Sequence, residues 1–453
     1  MDHVEETPGG ITHSKHRLGR CRASDIFLQS GFSNLLIQQN SPQVLEQTRQ
    51  MALYKFLTHS LVIPILSASV VLLSLAGCDL FAPSANEIRG YTSQQIKATK
   101  IPFEYAGKGY LLAQGGSAPT IIWLGKNSED KTVARFATLK ENDWKLSPID
   151  LPMGPGARLA AAATDSKGRL HFLWLERKGH ESIRRGFLTM FSDGKWSTPV
   201  QLSNNAASVF FATMAIGKDD AVHIAWSAAI GHNSAILLRT IRNGVGGEIQ
   251  QLALPSNQST FWQPTMEVAP DGRLHLAYVR MEAKNTVVVH QTGDEEGKSW
   301  STVTEIPGQP SHSNRPELAV GKAGQVKLFF LAGKKGEKLY TADQVDGKWQ
   351  DAKLLSDRPG APVMIVAGSD ESGRIHAAWV ETSWDRKQSA PKLMAINGKH
   401  SSEVLSLPVQ AGKGYGVQTW IGGEQFCMAW VVEQTEGKKT LFWNQLSLKS
   451  KGK

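Results

Sequence analysis

The chain has 453 residues, 41% hydrophobic and 20% charged, the make-up of a globular protein with room for one large or two to three ordinary domains. The formal net charge is +9, yet Lys and Arg are scattered except in the tail Lys449, Lys451 and Lys453. With no basic stripe interleaved with aromatics, nucleic acid is excluded as a partner. The three cysteines, Cys21, Cys78 and Cys427, exclude a disulfide framework, since the first two fall before or at the start of the folded part.

Residues 1–50 show no sustained periodicity and read as a disordered extension or as sequence upstream of the true start, Met51. Residues 51–77 have the parts of a secretory signal: Lys55, an apolar stretch from Leu61 to Leu75, then small residues. The apolar run is short for a transmembrane span, and Pro64 interrupts it. The closing Leu75-Ala76-Gly77-Cys78 resembles a lipobox, the site read by lipoprotein signal peptidase. The resemblance implies that Cys78 becomes the first mature residue and carries thioether-linked diacylglycerol, whose buried methylenes hold the protein on a bilayer at about 0.8 kcal/mol each. In enterobacterial lipoproteins an Asp such as Asp79 at the next position implies retention at the periplasmic face of the inner membrane; outer membrane or cell surface are the alternatives. Residues 78–93 read as the lipidated Cys and a tether.

From about residue 94 to 448 the chain repeats. The aromatics Trp123, Trp174, Trp226, Tyr278, Phe330, Trp379 and Trp430 recur at intervals of 51, 52, 52, 52, 49 and 51 residues, a propeller period rather than a helical-solenoid one. Each unit reads as four short strands. Unit 2 shows this best: a small-residue strand from Arg158 to Thr164, the turn Asp165 to Gly168, an alternating strand from Leu170, a third strand from Gly186, and Asp193-Gly194-Lys195-Trp196 before a fourth. The last unit lacks a clear fourth strand, while a spare one, about Ile96 to Phe103, precedes the first. Pairing the two closes the ring and removes both open edges. The expectation is therefore an all-β, seven-bladed β-propeller of four-stranded antiparallel blades over 94–448, followed by the basic tail 449–453.

The turn Gly293 to Trp300, with Glu295 at the Asp position, resembles the Asp-box of sialidase-like propellers; Asp193-Gly194-Lys195-Trp196 and Asp346-Gly347-Lys348-Trp349 are shorter versions. An Asp-box is a structural turn and implies fold rather than activity. Sialidases imply an arginine triad for a carboxylate, a Tyr–Glu nucleophile pair and an Asp acid/base. They also carry an early Arg-Ile-Pro motif. Here Thr99-Lys100-Ile101-Pro102 puts Lys where that Arg belongs, and Lys lacks the planar bidentate grip. Sialidase domains are also typically six-bladed.

His171, His223, His275 and His376 recur at one position in four units. Equivalent positions on different blades do not converge, so these read as structural histidines; no metal or cofactor is expected. Cys427, in the apolar run Phe426 to Trp430, reads as a core thiol. Ligand-binding candidates are the residues at the end of the ring where inner strands begin: Arg158, Phe211, Trp262, Gln263, His312, Asn314, Arg315 and Tyr415. Beside them come Glu176, Arg280 and Glu381, two residues past the marker aromatics, and His232, Trp384 and Arg386 in nearby loops. Arginines and aromatics in one funnel suit a sugar or an anion. No complete catalytic motif stands in the chain, so the favoured function is a lipid-anchored, non-catalytic envelope module binding a protein or a glycan. The alternative is a sialidase-like glycoside hydrolase acting on acidic sugars. It would draw on Arg158, Arg280, Arg315, Tyr415 and the carboxylates Glu176 and Glu381, which would need a separation of roughly 5 to 9.5 Å.

Overall fold

The structure, a computed structural model, describes residues 99–101 and 109–448 apart from 155, 178–182, 204–206, 256–258, 335–337, 357–360, 371, 384–386, 398–399, 403, 408–409, 412, 424 and 434–437. The extension 1–50, the signal segment 51–77, Cys78 with its tether, Trp384, Arg386 and the tail 449–453 lie outside the described residues.

The described residues form seven antiparallel sheets and no helix. Blades 1 to 7 begin with the strands Tyr110–Leu112, Arg158–Thr164, Val209–Ile216, Ser259–Val268, Asn314–Val320, Ala361–Ser369 and Lys413–Gly422. Each first strand touches the next, and the seventh touches the first, so these strands ring the axis. Small residues suit the crowded inner position: blade 2 runs Arg-Leu-Ala-Ala-Ala-Ala-Thr there. The second strands are almost wholly buried, as in Leu170–Arg177, where six consecutive residues are inside.

Every junction between neighbouring blades holds one apolar cluster. Leu173, Leu175 and Leu188 of blade 2 meet Val209, Val222 and Trp226 of blade 3; Ala277 and Val288 of blade 4 meet Leu318 and Phe330 of blade 5. A strand's alternation thus sends odd residues to one neighbouring blade and even residues to the other, so the core is a ring of seven interfaces. The marker aromatics are among its larger members; Trp226, Tyr278, Phe330, Trp379 and Trp430 are each 0% exposed.

Closure is as the sequence predicts. Thr99–Lys100 pairs antiparallel with Lys439–Ser447, Thr99 opposite Trp443 and Lys100 opposite Phe442, and supplies the outermost strand of blade 7. The blade 7–1 junction is then fastened by Tyr110 Oη donating to the Ala429 carbonyl at 2.9 Å, Gln114 Nε2 to the Thr419 carbonyl at 2.6 Å and Trp420 Nε1 to the Gly115 carbonyl at 2.7 Å.

The recurrent histidines are packed inside the blades. His171 Nε2 and His376 Nε2 each lie 2.8 Å from an Asp six residues earlier, Asp165 and Asp370. His223 Nδ1 is 2.9 Å from Thr240 Oγ1, and His275 Nδ1 is 3.1 Å from His290 Nε2. Cys427 is fully buried, and burial pushes its thiol pKa up. In the turn before Trp300 the Asp294 carboxylate, one residue before Glu295, accepts the backbone N–H of Lys298 at 2.7 Å and of Ser299 at 2.9 Å. Burial acts to raise its pKa, but those N–H donors hold it below the ordinary value.

Candidate functional site

The axial mouth where the inner strands begin is built from an irregularity that repeats around the ring. In blades 2 to 7 the pairing of first and second strands slips near the mouth: at Leu159/Ala161, Val209/Ala212, Trp262/Thr265, Asn314/Glu317, Val363/Ile365 and Tyr415/Val417. Such bulges re-aim side chains and recur next to binding sites. In blade 3 the slip leaves Phe210 and Phe211 each 45% exposed. In blades 4 and 5 it is sharper. Gln263 and Arg315 hold φ values of 52° and 50°, left-handed backbone that costs a non-glycine residue of order 1–3 kcal/mol and clusters at functional sites. Each precedes a proline, Pro264 and Pro316, which narrows its backbone choice further.

The two strained residues are bonded to each other across the blade junction: the Arg315 N–H donates to Gln263 Oε1 at 2.9 Å. The segment before Arg315 is pinned as well. The His312 N–H, at φ 61°, donates to Asn285 Oδ1 at 3.1 Å, the Ser313 N–H to the Thr286 carbonyl at 3.0 Å, and Asn314 Nδ2 to the His312 carbonyl at 2.9 Å. Arg315 itself is exposed, and Trp262, the residue before Gln263, is half-buried. Phe211, Trp262, Gln263, His312 and Arg315 are therefore brought to one arc of the mouth, over blades 3 to 5. Exposed His232 lies in the hairpin between the second and third strands of blade 3. The backbone of Tyr415 is at the blade 7 bulge.

The remaining candidates are tied elsewhere. Glu176 Oε2 accepts Trp174 Nε1 at 2.9 Å and the Gly154 N–H at 2.7 Å. Glu381 Oε1 accepts Trp379 Nε1 and Ser356 Oγ, both at 3.0 Å, with Lys392 Nζ 3.6 Å from its other oxygen. Both carboxylates thus clip the connection from the preceding blade onto the marker tryptophan, one in blade 2 and one in blade 6. Arg280 Nε is 3.0 Å from Glu282, and its Nη2 reaches Glu305 on the outer strand of the same blade. Lys100 is exposed on the outermost strand of blade 7.

Two features escape a linear reading. Arg158 is joined by Arg177 and Arg184: the register sets Arg158 opposite Leu175 and Arg177 opposite Arg184, so all three share the face of blade 2 turned toward blade 3. Burial, then the charges of Arg158 and Arg177, push the Arg184 pKa below its ordinary value. The second feature is a pair of carboxylates on adjacent inner strands. Burial pushes the pKa of both Glu267 and Glu317 up to about 8, and the charge of Glu267 adds to the rise at Glu317. Among the described residues no cluster of three or more His, Cys, Asp or Glu is placed to hold a metal ion.

No protein-family model and no curated protein matches the chain. Solved structures do. An ulvan lyase from a new family of polysaccharide lyases superposes with a TM-score of 0.55 at 9% identity, over 78% of this chain and 96% of that one. The polysaccharide lyase Uly1 gives 0.51 at 10%, over 80% and 95%. A protein of unknown function from Dyadobacter fermentans gives 0.50 at 9%, over 78% of this chain and all of that one. At such identities the likeness shows that the chain shares their fold, and an activity does not travel with a fold.

Proposed function

We propose that the protein is a non-catalytic binding module of the cell envelope, anchored by lipid at Cys78, that holds a glycan on the arc of the mouth over blades 3 to 5. The observation that carries the reading is the bonded pair Gln263–Arg315, two non-glycine residues in left-handed backbone on adjacent blades. The fold gives up stability there for side-chain placement, and the same end of blades 3 and 4 carries exposed Phe211 and half-buried Trp262. Aromatic faces with a polar hydrogen-bonding frame suit a sugar ring, whose C–H face stacks while its hydroxyls find donors and acceptors. The hydrolase alternative draws no support from Glu176 and Glu381, each fastened to a tryptophan indole and a neighbouring connection.

The purified protein is expected to bind members of a polysaccharide panel without turnover, and Trp262→Ala and Phe211→Ala to weaken that binding about tenfold, near 1.4 kcal/mol. An envelope protein captured through the mouth with no glycan bound would turn the reading to a protein partner. Turnover of a glycoside that vanishes in Arg315→Ala would make it an enzyme. The anchor is tested separately: the protein should incorporate labelled palmitate and lose the label in Cys78→Ser. A chain starting at Met51 should be exported as well as the full reading frame.

A further inference from the structure

We infer that Arg158, Arg177 and Arg184 form a subsite for the carboxylate or sulfate groups of an acidic polysaccharide, which rests on the glycan-binding reading above. Leu175, the residue opposite Arg158, belongs to the apolar cluster between blades 2 and 3 together with Val209. The three arginines continue that same face past the edge of the cluster, toward blade 3, at the mouth end of the strands. The junction is set there by the Arg184 N–H, which donates to Ser208 Oγ at 3.1 Å. Two and three residues beyond Ser208 come the exposed Phe210 and Phe211.

Three guanidinium groups on one face repel each other, and proteins ordinarily interleave carboxylates in such a cluster. Here no described carboxylate reaches salt-bridge distance of any of the three, and Arg184 Nε is buried with no hydrogen-bond partner. A buried, unpaired donor on a cation is costly, and an anion bound against the exposed Arg158 and Arg177 would relieve the repulsion and offset the buried charge of Arg184. Guanidinium groups bind carboxylate and sulfate in bidentate fashion. The neighbouring phenylalanines select a saccharide carrier over a free anion, because they offer stacking surface beside the charge. The site lies on one blade and faces the next, so successive residues of a chain could run from it to the arc over blades 3 to 5.

The test uses the full chain with polygalacturonate as carboxylate polymer, a carrageenan as sulfate polymer, and a neutral galactan, with binding measured by calorimetry at several salt concentrations. At least one acidic polymer should bind more tightly than the neutral one. Arg177→Gln and Arg184→Gln should each weaken that binding about tenfold and flatten its salt dependence, since each removes a positive charge and, at Arg177, a charge-assisted hydrogen bond to the anion. Arg177 is exposed, so its variant answers the question even where Arg184→Gln fails to fold. Neutral and acidic polymers binding alike, or variants binding as the parent does, would overturn the subsite and leave the glycan reading standing. No polysaccharide bound at all would overturn both. A loss in the variants seen only on phosphatidylglycerol vesicles would overturn the polysaccharide as its ligand.

Discussion

Glu176 and Glu381 hold equivalent positions, two residues past Trp174 and Trp379, and take equivalent partners: the indole N–H and a group from the preceding connection. Trp379 is 0% exposed, so Glu381→Ala strands a buried donor and frees the connection at Ser356, at a cost of about 1–3 kcal/mol. Denaturant titration should show that loss, and Glu381→Gln should recover most of it. The pair Glu267 and Glu317 acts through pH instead. Both carboxyls titrate near pH 8 in the fold against 4.5 when free, so between those values the unfolded chain gives up protons that the folded one keeps. Their contribution is complete below about pH 4.5 and is lost as pH rises through 8. Glu267→Gln with Glu317→Gln should match the parent near pH 4.5 and melt at a higher temperature at pH 9. A parent melting curve insensitive to pH on the alkaline side would contradict it.

At the level of strands, the spacing of one aromatic per unit and the Asp-Gly turns were enough to read seven blades, because the period and the turn chemistry are local properties of the chain. The site was legible only in part. Phe211, Trp262, Gln263 and Arg315 are found at the mouth because it is the end of the ring where inner strands begin. The positive φ of Gln263 and Arg315 is set by a slip in pairing with the second strand, and no residue pattern in the inner strand announces it beyond the following proline. Arg177 and Arg184 stay hidden for a related reason: which face they occupy depends on the register of three strands, and one residue of slip would send them to the other side. Strained bulges make a measurable demand. Arg315 is exposed and its backbone bond is made by the N–H, so Arg315→Gly keeps the bond and removes the steric cost of φ 50°. Its fold should be at least as stable as the parent's by thermal denaturation, while glycan binding weakens. A clear drop in stability would mean that the side chain, not the ligand, is what the bulge serves.

The ring as a whole depends on residues far apart in sequence meeting at one seam. Blade 7 takes its outer strand from Thr99–Lys100, with the Ile101 N–H donating to the Leu441 carbonyl at 3.1 Å. Ile101 and Tyr110 are 2% and 9% exposed and lie in one cluster with Trp123, Trp420 and Val431, so the seam is an apolar interface like the other six. It differs in what holds it from outside. The other junctions are joined by the connection from one blade to the next, whereas blades 7 and 1 are held together by the pairing of the closing strand and the bonds beneath it. Removing the chain through residue 110 therefore takes away the strand, Ile101, Tyr110 and its bond to Ala429. Burying a large apolar side chain contributes about 1.5–3 kcal/mol, so the truncation should cost several kcal/mol and leave an open sheet edge on blade 7 that invites association. The expected result is a sharp fall in the denaturation midpoint with proteolysis beginning at blades 1 and 7. Ile101→Ala gives the milder form, near 2–5 kcal/mol by the usual cost of emptying a core position, with the closing strand still present. An unchanged midpoint in the truncated chain would show that six interfaces suffice to hold the ring and that the closing strand serves another end.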